Sequence, residues 1–299
     1  KPLVEFGVHV AANGVDICKD PAFGFEGQAF VACFGDLAPI TTLKHAVTPM
    51  GFKVVRVDIA NRQFHDFAVN RIGGPASKLP HAGFERPSHC QFGPDGALYV
   101  SVFYQNLHDT NDPAGYVLRF QDTTSGAFQV VAGNNGDGAF QAGEIADLHN
   151  PEGIVFGPDG RLYVTSIRAN FSDTDKILVL DPQTHSLKDK IVLDQVGQER
   201  TYAQSILFGP NGKLFVSIRG DVSGSVRRYA VTTKAFDVFV APGFYGPLVS
   251  PWYMTFGQTD PATLAYQTPP ANSSRVLYVG DQGDPTNPND DTVKRFDAT

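Results

Sequence analysis

Five residues recur at one offset in a repeated hairpin. Asn13, Ser88, Glu152, Gln204 and Trp252 each stand just ahead of a short apolar run. A position shared by successive repeats lies at the same place on each repeat, so these side chains are the first candidates for a common binding rim. Glu152 is the only acid among them. A second set closes the returning run of each copy: Cys33, Val102, Ser166, Ile218 and Asp281, again with one acid. Glu152 and Asp281 facing each other would supply a general acid and a general base. An Asp at such a position also has a plainer use, accepting backbone amides at a strand end. His149, in Asp147-Leu-His-Asn-Pro151, leads toward Glu152; an imidazole that titrates near neutrality is suited to take the proton of a hydroxyl being oxidised. His89 directly follows Ser88, so if Ser88 turns inward His89 turns to the next blade. Arg168 and Arg219 lie past matching returning runs, where they would meet an anionic group or simply face solvent. Trp252 and Tyr253, with Tyr202 and Phe244-Tyr245, give one sector an aromatic surface that stacks on sugar faces or quinones, or fills an interface. The expected site therefore has His149, Glu152 and Asp281 as reacting groups. Asn13, Ser88, Arg168, Gln204, Arg219, Trp252 and Tyr253 are its binding groups.

The element that must position these residues is legible as a repeat. Phe92-Gly-Pro-Asp-Gly-Ala-Leu-Tyr-Val100 recurs as Phe156-Gly-Pro-Asp-Gly-Arg-Leu-Tyr-Val164 and as Phe208-Gly-Pro-Asn-Gly-Lys-Leu-Phe-Val216. Looser copies run from Val15-Asp-Ile17 to Ala29-Phe-Val31 and from Met254-Thr-Phe256 to Leu277-Tyr-Val279. Proline presets φ, glycine supplies a positive φ, and the two flanking runs form an antiparallel hairpin. A third run follows each hairpin: residues 54–58, 117–121, 178–181, 226–229 and 293–297. A fourth run is expected at 64–69, 128–131, 190–193 and 236–240. Four strands per repeat of this length is the blade of a β-propeller. The expectation is an all-β chain forming a single domain, 1–299, with five visible four-stranded blades. The run Leu3-Val-Glu-Phe6 would close the last blade, which otherwise lacks a fourth strand. Six blades are the alternative if the chain is trimmed. A two-sheet sandwich gives no reason for five copies of one hairpin.

Composition narrows the partners. The formal net charge of −7 argues against a nucleic-acid footprint, and no apolar run reaches the length of a membrane span. The three cysteines, Cys18, Cys33 and Cys90, include no Cys-x-x-Cys pair, so a zinc site is not expected. They read first as small buried apolar residues, with a Cys18–Cys33 bridge as the alternative. Two Asn-x-Ser/Thr triplets, at Asn170 and Asn272, carry little weight. The acidic turn 281–291 lacks the spacing of an EF-hand loop. Gly133-Asn-Asn-Gly-Asp-Gly138 lacks the context of a nucleotide-binding turn, and no Gly-x-Ser-x-Gly elbow occurs.

The Gly-Pro-Asp-Gly-x-Leu-Tyr-Val hairpin resembles the NHL and SMP-30/gluconolactonase superfamily of propellers. A narrower resemblance covers roughly residues 5–105. It is carried by Gly27-Gln-Ala-Phe-Val-Ala-Cys-Phe-Gly-Asp-Leu-Ala-Pro39, Gly51-Phe-Lys-Val-Val-Arg-Val-Asp58, Asp66-Phe-Ala-Val-Asn-Arg71, Gly74-Pro-Ala-Ser77 and Glu85-Arg-Pro87. These strings look like bacterial glucose/sorbosone dehydrogenase-like proteins. The resemblance implies a secreted or periplasmic oxidoreductase acting on a sugar or related polyol with pyrroloquinoline quinone and calcium. That family's quinone-binding Arg and Lys residues and its catalytic His have no residue-by-residue match in this chain. The SMP-30 resemblance implies instead a metal-dependent lactonase, with Glu152 as a metal ligand. The remaining alternative is a non-catalytic propeller that binds a glycan or a protein through its aromatic sector.

Overall fold

The computed structural model describes residues 2–7, 10–35, 51–69, 86–104, 114–134, 144–209, 212–220, 224–241, 248–257, 276–283 and 292–298. Its regular elements are β-strands in five antiparallel sheets. The first sheet holds β1 (Ala12–Ile17), β2 (Ala29–Cys33), β3 (Lys53–Asp58) and β4 (Gln63–Val69). The second holds β5 (Arg86–Phe92), β6 (Leu98–Tyr104), β7 (Ala114–Phe120) and β8 (Phe128–Asn134). The third holds β9 (Ile154–Phe156), β10 (Leu162–Ser166), β11 (Lys176–Asp181) and β12 (Ser186–Val192). The fourth holds β13 (Ala203–Phe208), β14 (Leu214–Ile218), β15 (Ser225–Tyr229) and β16 (Phe236–Val240). The fifth holds β17 (Pro251–Gly257), β18 (Val276–Asp281) and β19 (Thr292–Asp297). Strands neighbour one another in chain order within every sheet. This is the all-β, five-bladed propeller class. Among the described residues no helix is long and apolar enough to cross a membrane.

Burial follows strand position. Strands β2, β10 and β14 are buried at every residue, whereas β12 and β16 are mostly exposed or half-buried. Second strands with apolar side chains on both faces suit positions covered by neighbouring sheets.

The chain divides into two compact units, Lys1–Phe156 with Leu180–Lys188, and Gly157–Val179 with Asp189–Thr299. In each, the hairpin motif explains how successive sheets stack. An aromatic ring on the second strand of one sheet meets, edge to face, the Phe that ends the first strand of the following sheet. In the first unit the pairs are Phe30–Phe92, with centroids 5.4 Å apart, and Tyr99–Phe156, at 4.8 Å. In the second they are Tyr163–Phe208, at 5.0 Å, and Phe215–Phe256, at 5.3 Å. Such pairs add to the area they bury. The glycine after the Phe makes room for the ring: a Cβ on Gly157 would lie 2.6 Å from the Tyr163 ring and one on Gly209 2.5 Å from Phe215. The second glycine takes the positive φ of the turn, 75° at both Gly96 and Gly160. The intervening Asp holds the turn, since Asp95 and Asp159 accept from the hydroxyls of Tyr99 and Tyr163, both at 3.1 Å.

Three expectations need revision or completion. Residues 3–6 form no strand; Val4 and Phe6 pack against the apolar cluster of the first sheet, and Phe6 meets Phe64 at 5.1 Å. Two apolar residues suffice to anchor the segment there, and the fifth sheet has three strands among the described residues. The fourth strand of the third sheet starts at Ser186 rather than 190. Asp181 accepts from the amides of Gln183 and Thr184, at 2.9 and 3.0 Å, and so closes a tighter hairpin. All three cysteines are buried free thiols. Burial pushes the Cys33 thiol up to about 12, far from a reactive thiolate.

Candidate functional site

In the first unit Ser88, which lies within β5 rather than ahead of it, is consumed by the fold. Ser88 is 4% exposed. Its hydroxyl donates to the Pro151 carbonyl at 2.7 Å and lies 3.1 Å from the Ser101 hydroxyl. Ser101 in turn donates to the Glu152 carbonyl at 2.6 Å. Two serines of the second sheet thus hold the backbone of the segment entering β9. Pro151 presses against the same sheet, because a Cβ on Gly115 would come within 2.2 Å of its ring. His149 and Glu152 are both buried in this unit. The buried guanidinium of Arg86 lies 5.1 Å from the Phe34 ring and 5.0 Å from the Phe52 ring. Asn13 is half-buried on β1. His89 lies against the preceding sheet, where a Cβ on Gly14 would touch its backbone at 2.6 Å. Burial pushes its imidazole down to about 4, so it is neutral at physiological pH.

The corresponding region of the second unit is built from charge. Asp175, 1% exposed, is its centre. It accepts from the backbone amides of Arg168 at 2.7 Å, Thr201 at 3.0 Å and Tyr202 at 2.9 Å, and from the Thr201 hydroxyl at 3.2 Å. Arg200 faces it across 3.5 Å. Burial opposes its ionisation, but the donated amides and the Arg200 charge outweigh that and hold the carboxyl below the usual range. Neighbouring Asp194 accepts from the Asp175 amide at 2.9 Å. Burial, and then the Asp175 charge, push the Asp194 carboxyl up.

This acidic pair fixes a loop that carries guanidinium groups. Arg200 donates to the Tyr202 hydroxyl at 2.7 Å and lies over the Tyr202 ring at 3.9 Å. Arg219 lies over the same ring at 5.4 Å and is exposed. Arg168, 7% exposed, donates to the Gln198 carbonyl at 3.2 Å, and its backbone carbonyl accepts from Arg200 at 3.4 Å. Phe171, 85% exposed, lies 6.0 Å from the Arg168 guanidinium. Gln204 donates to the Tyr202 carbonyl at 3.5 Å, and its side-chain oxygen is buried without a hydrogen-bond partner. A buried, unmet amide oxygen is unusual, because desolvation leaves it uncompensated.

Asp281, in the same unit, accepts from the amides of Ser250 at 2.7 Å and Val249 at 3.2 Å, and from Lys294 at 2.8 Å. Trp252 is half-buried and its indole donates to the Ser250 hydroxyl at 3.1 Å. Tyr253 follows it on β17, also half-buried. The structure therefore sets Gln204 and Arg219 against Tyr202, with Arg168 on the Gln198 carbonyl of the same loop, and sets Asp281 with Trp252 around Ser250. Glu152 and His149 belong to the first unit and Asp281 to the second. Phe244-Tyr245, most of the acidic turn 281–291 and Asn272 lie outside the described residues.

Sequence reasoning missed Arg200, Asp175 and Asp194. The signal for Arg200 was its place in Glu199-Arg-Thr-Tyr202, directly ahead of the fourth copy. The two aspartates carry no repeat signature. Among the described residues no three His, Cys, Asp or Glu side chains gather where one metal ion could reach them.

Comparison with known proteins bears on the fold. The family model "strictosidine synthase-like, N-terminal" matches residues 139–167. No curated protein sequence matches the chain. Among solved structures, the chain is similar to an auxiliary nutrient binding protein from Bacteroides ovatus, with a TM-score of 0.53 and 12% identity over 91% of this chain and 53% of that one. It thus spans about half the length of that protein. It is similar also to virginiamycin B lyase from Staphylococcus aureus, with a TM-score of 0.51 and 10% identity over 98% of this chain and 72% of the lyase. A third likeness is to an exo-β-1,3-galactanase from Clostridium thermocellum, with a TM-score of 0.57 and 11% identity over 97% of this chain and 59% of that one. These likenesses show a shared fold.

Proposed function

We propose that this propeller binds a small, polar, hydroxyl-rich ligand of the sugar or polyol class at the strand entrances of its second unit. The observation that carries the reading is the unmet side-chain oxygen of Gln204, buried beside Tyr202. A ligand hydroxyl is the donor such an oxygen lacks, and the exposed Phe171 ring, 6.0 Å from the Arg168 guanidinium, offers a face for stacking. The sugar class is supported by the resemblance over residues 5–105, and the nutrient-binding and galactanase names of two fold neighbours are in keeping with it.

The same resemblance makes hydroxyl oxidation the chemistry to test. The guanidinium groups around Tyr202 suit the carboxylates of pyrroloquinoline quinone in kind. Among the described residues no three His, Cys, Asp or Glu side chains gather to hold the calcium expected with it. A hard dication takes six to eight oxygen ligands, and Glu152 is one carboxylate. Calorimetric titration of the purified chain with neutral and acidic sugars and with glucitol tests the binding. Heat that saturates with at least one sugar is expected, and no saturable heat with any of them overturns the reading. Dye-linked oxidation after reconstitution with quinone and calcium tests the redox step; no turnover and no quinone spectrum removes it.

A further inference from the structure

We infer that the ligand of this site is an anionic sugar: a hexose ring bearing a carboxylate, held by Arg168 and Arg219 beside Tyr202, with a ring hydroxyl donating to Gln204. The inference rests on the binding reading above and adds the charge of the ligand.

The guanidinium groups of Arg200 and Arg219 lie over the Tyr202 ring and that of Arg168 reaches the Gln198 carbonyl of the same loop, while the nearest carboxylates are already engaged. Asp175 is filled by three backbone amides and a hydroxyl, and faces Arg200. Asp194 carries its own amide partners, donated by Asp175 and Thr201. Among the described residues no carboxylate lies within ion-pair distance of Arg168 or Arg219. Like-charged groups held together repel, and a protein tolerates the arrangement most readily when an anion offsets it. Guanidinium groups recognise a carboxylate through paired N–H donors, which gives geometry as well as charge. Gln204 then distinguishes a hydroxylated carboxylate from a bare anion, because its unmet oxygen accepts only from a donor. Phe171 supplies the apolar face that a pyranose ring presents its C–H groups to.

The test is calorimetric titration of the wild-type chain with sodium D-glucuronate, D-glucose, sodium sulfate and pyrroloquinoline quinone, repeated on Arg219→Gln and Gln204→Met. Arg219 is exposed, so its replacement leaves the core intact. Glucuronate is expected to bind at least 10-fold more tightly than glucose. Arg219→Gln should remove most of that advantage, and Gln204→Met should weaken both sugars several-fold. Equal binding of glucose and glucuronate, unchanged in Arg219→Gln, overturns the anionic assignment and leaves the sugar-binding reading standing. Sulfate binding as tightly as glucuronate, or quinone alone showing dependence on Arg219, overturns the hexuronate assignment. No saturable heat with either sugar overturns both readings.

Discussion

Ser88 and Gln204 occupy equivalent positions in the repeat, each just ahead of or within an innermost strand, and the protein uses them in opposite ways. The Ser88 hydroxyl is spent on the Pro151 carbonyl and the Ser101 hydroxyl. The Gln204 oxygen is spent on nothing. In the first unit two serines bond backbone carbonyls and the buried Arg86 is set against two rings. In the second, a buried carboxylate fixes a loop whose guanidinium groups gather on one tyrosine. A repeat therefore dictates where a side chain stands but not what it is for. Whether its polar valence is filled by the fold is what separates scaffold from candidate site.

The strongest way to break this contrast is to remove the carboxylate that organises the second region. Asp175→Asn removes the charge that faces Arg200 and leaves three amides sharing fewer acceptors. It is expected to destabilise the chain by about 3–5 kcal/mol, the usual cost of breaking a buried ion pair from one side. Denaturant unfolding reads this directly. A loss under about 1 kcal/mol would mean that the loop is held by something else.

Ser88→Ala should cost less, about 1–3 kcal/mol, since it strands one buried carbonyl. The same unfolding measurement checks it, and a neutral result would show that the serine bonds of the first unit are incidental.

Acid probes the first region more gently. His89 is held neutral with its imidazole at about 4 against an ordinary 6.5. Its folded value is depressed, so unfolding takes up a proton between those values. The stability due to His89 is present above pH 6.5 and is lost as pH falls toward 4. Asp194, pushed up, works in the opposite sense: the folded state favours its protonated form, which partly offsets the loss on acidification. Tm measured from pH 7 to pH 4 should therefore fall less steeply in His89→Gln than in wild type, and identical slopes would remove His89 as the cause.

Much of the scaffold could be read from the sequence, because Phe-Gly-Pro-Asp-Gly-x-Leu-Tyr-Val states its own turn geometry. Gly96 and Gly160 take the positive φ that the motif implies. What the sequence hid was the reason for the other glycine: only the three-dimensional stack shows the Tyr163 ring filling the space beside Gly157. Leu3-Val-Glu-Phe6 is the expected closing strand of the last blade, yet Val4 and Phe6 pack on the apolar cluster of the first sheet. Of the site, Arg168, Arg219 and Gln204 were legible from their offsets. Arg200, Asp175 and Asp194 lie in connections whose lengths differ between copies, so alignment of repeats cannot find them. Asp281 shows a further limit. Its offset allowed an acid–base pairing with Glu152 or the plainer use at a strand end, and its contacts, two backbone amides and Lys294, are those of the plainer use.

The most direct measurement is a side-by-side unfolding of Ser88→Ala and Gln204→Met in one buffer without ligand. If the Gln204 oxygen is held in reserve for a ligand, its replacement by an apolar side chain of similar size leaves stability within about 0.5 kcal/mol of wild type or raises it, while Ser88→Ala falls. A loss in Gln204→Met as large as that in Ser88→Ala would contradict the account, because it would show both positions serving the fold alike.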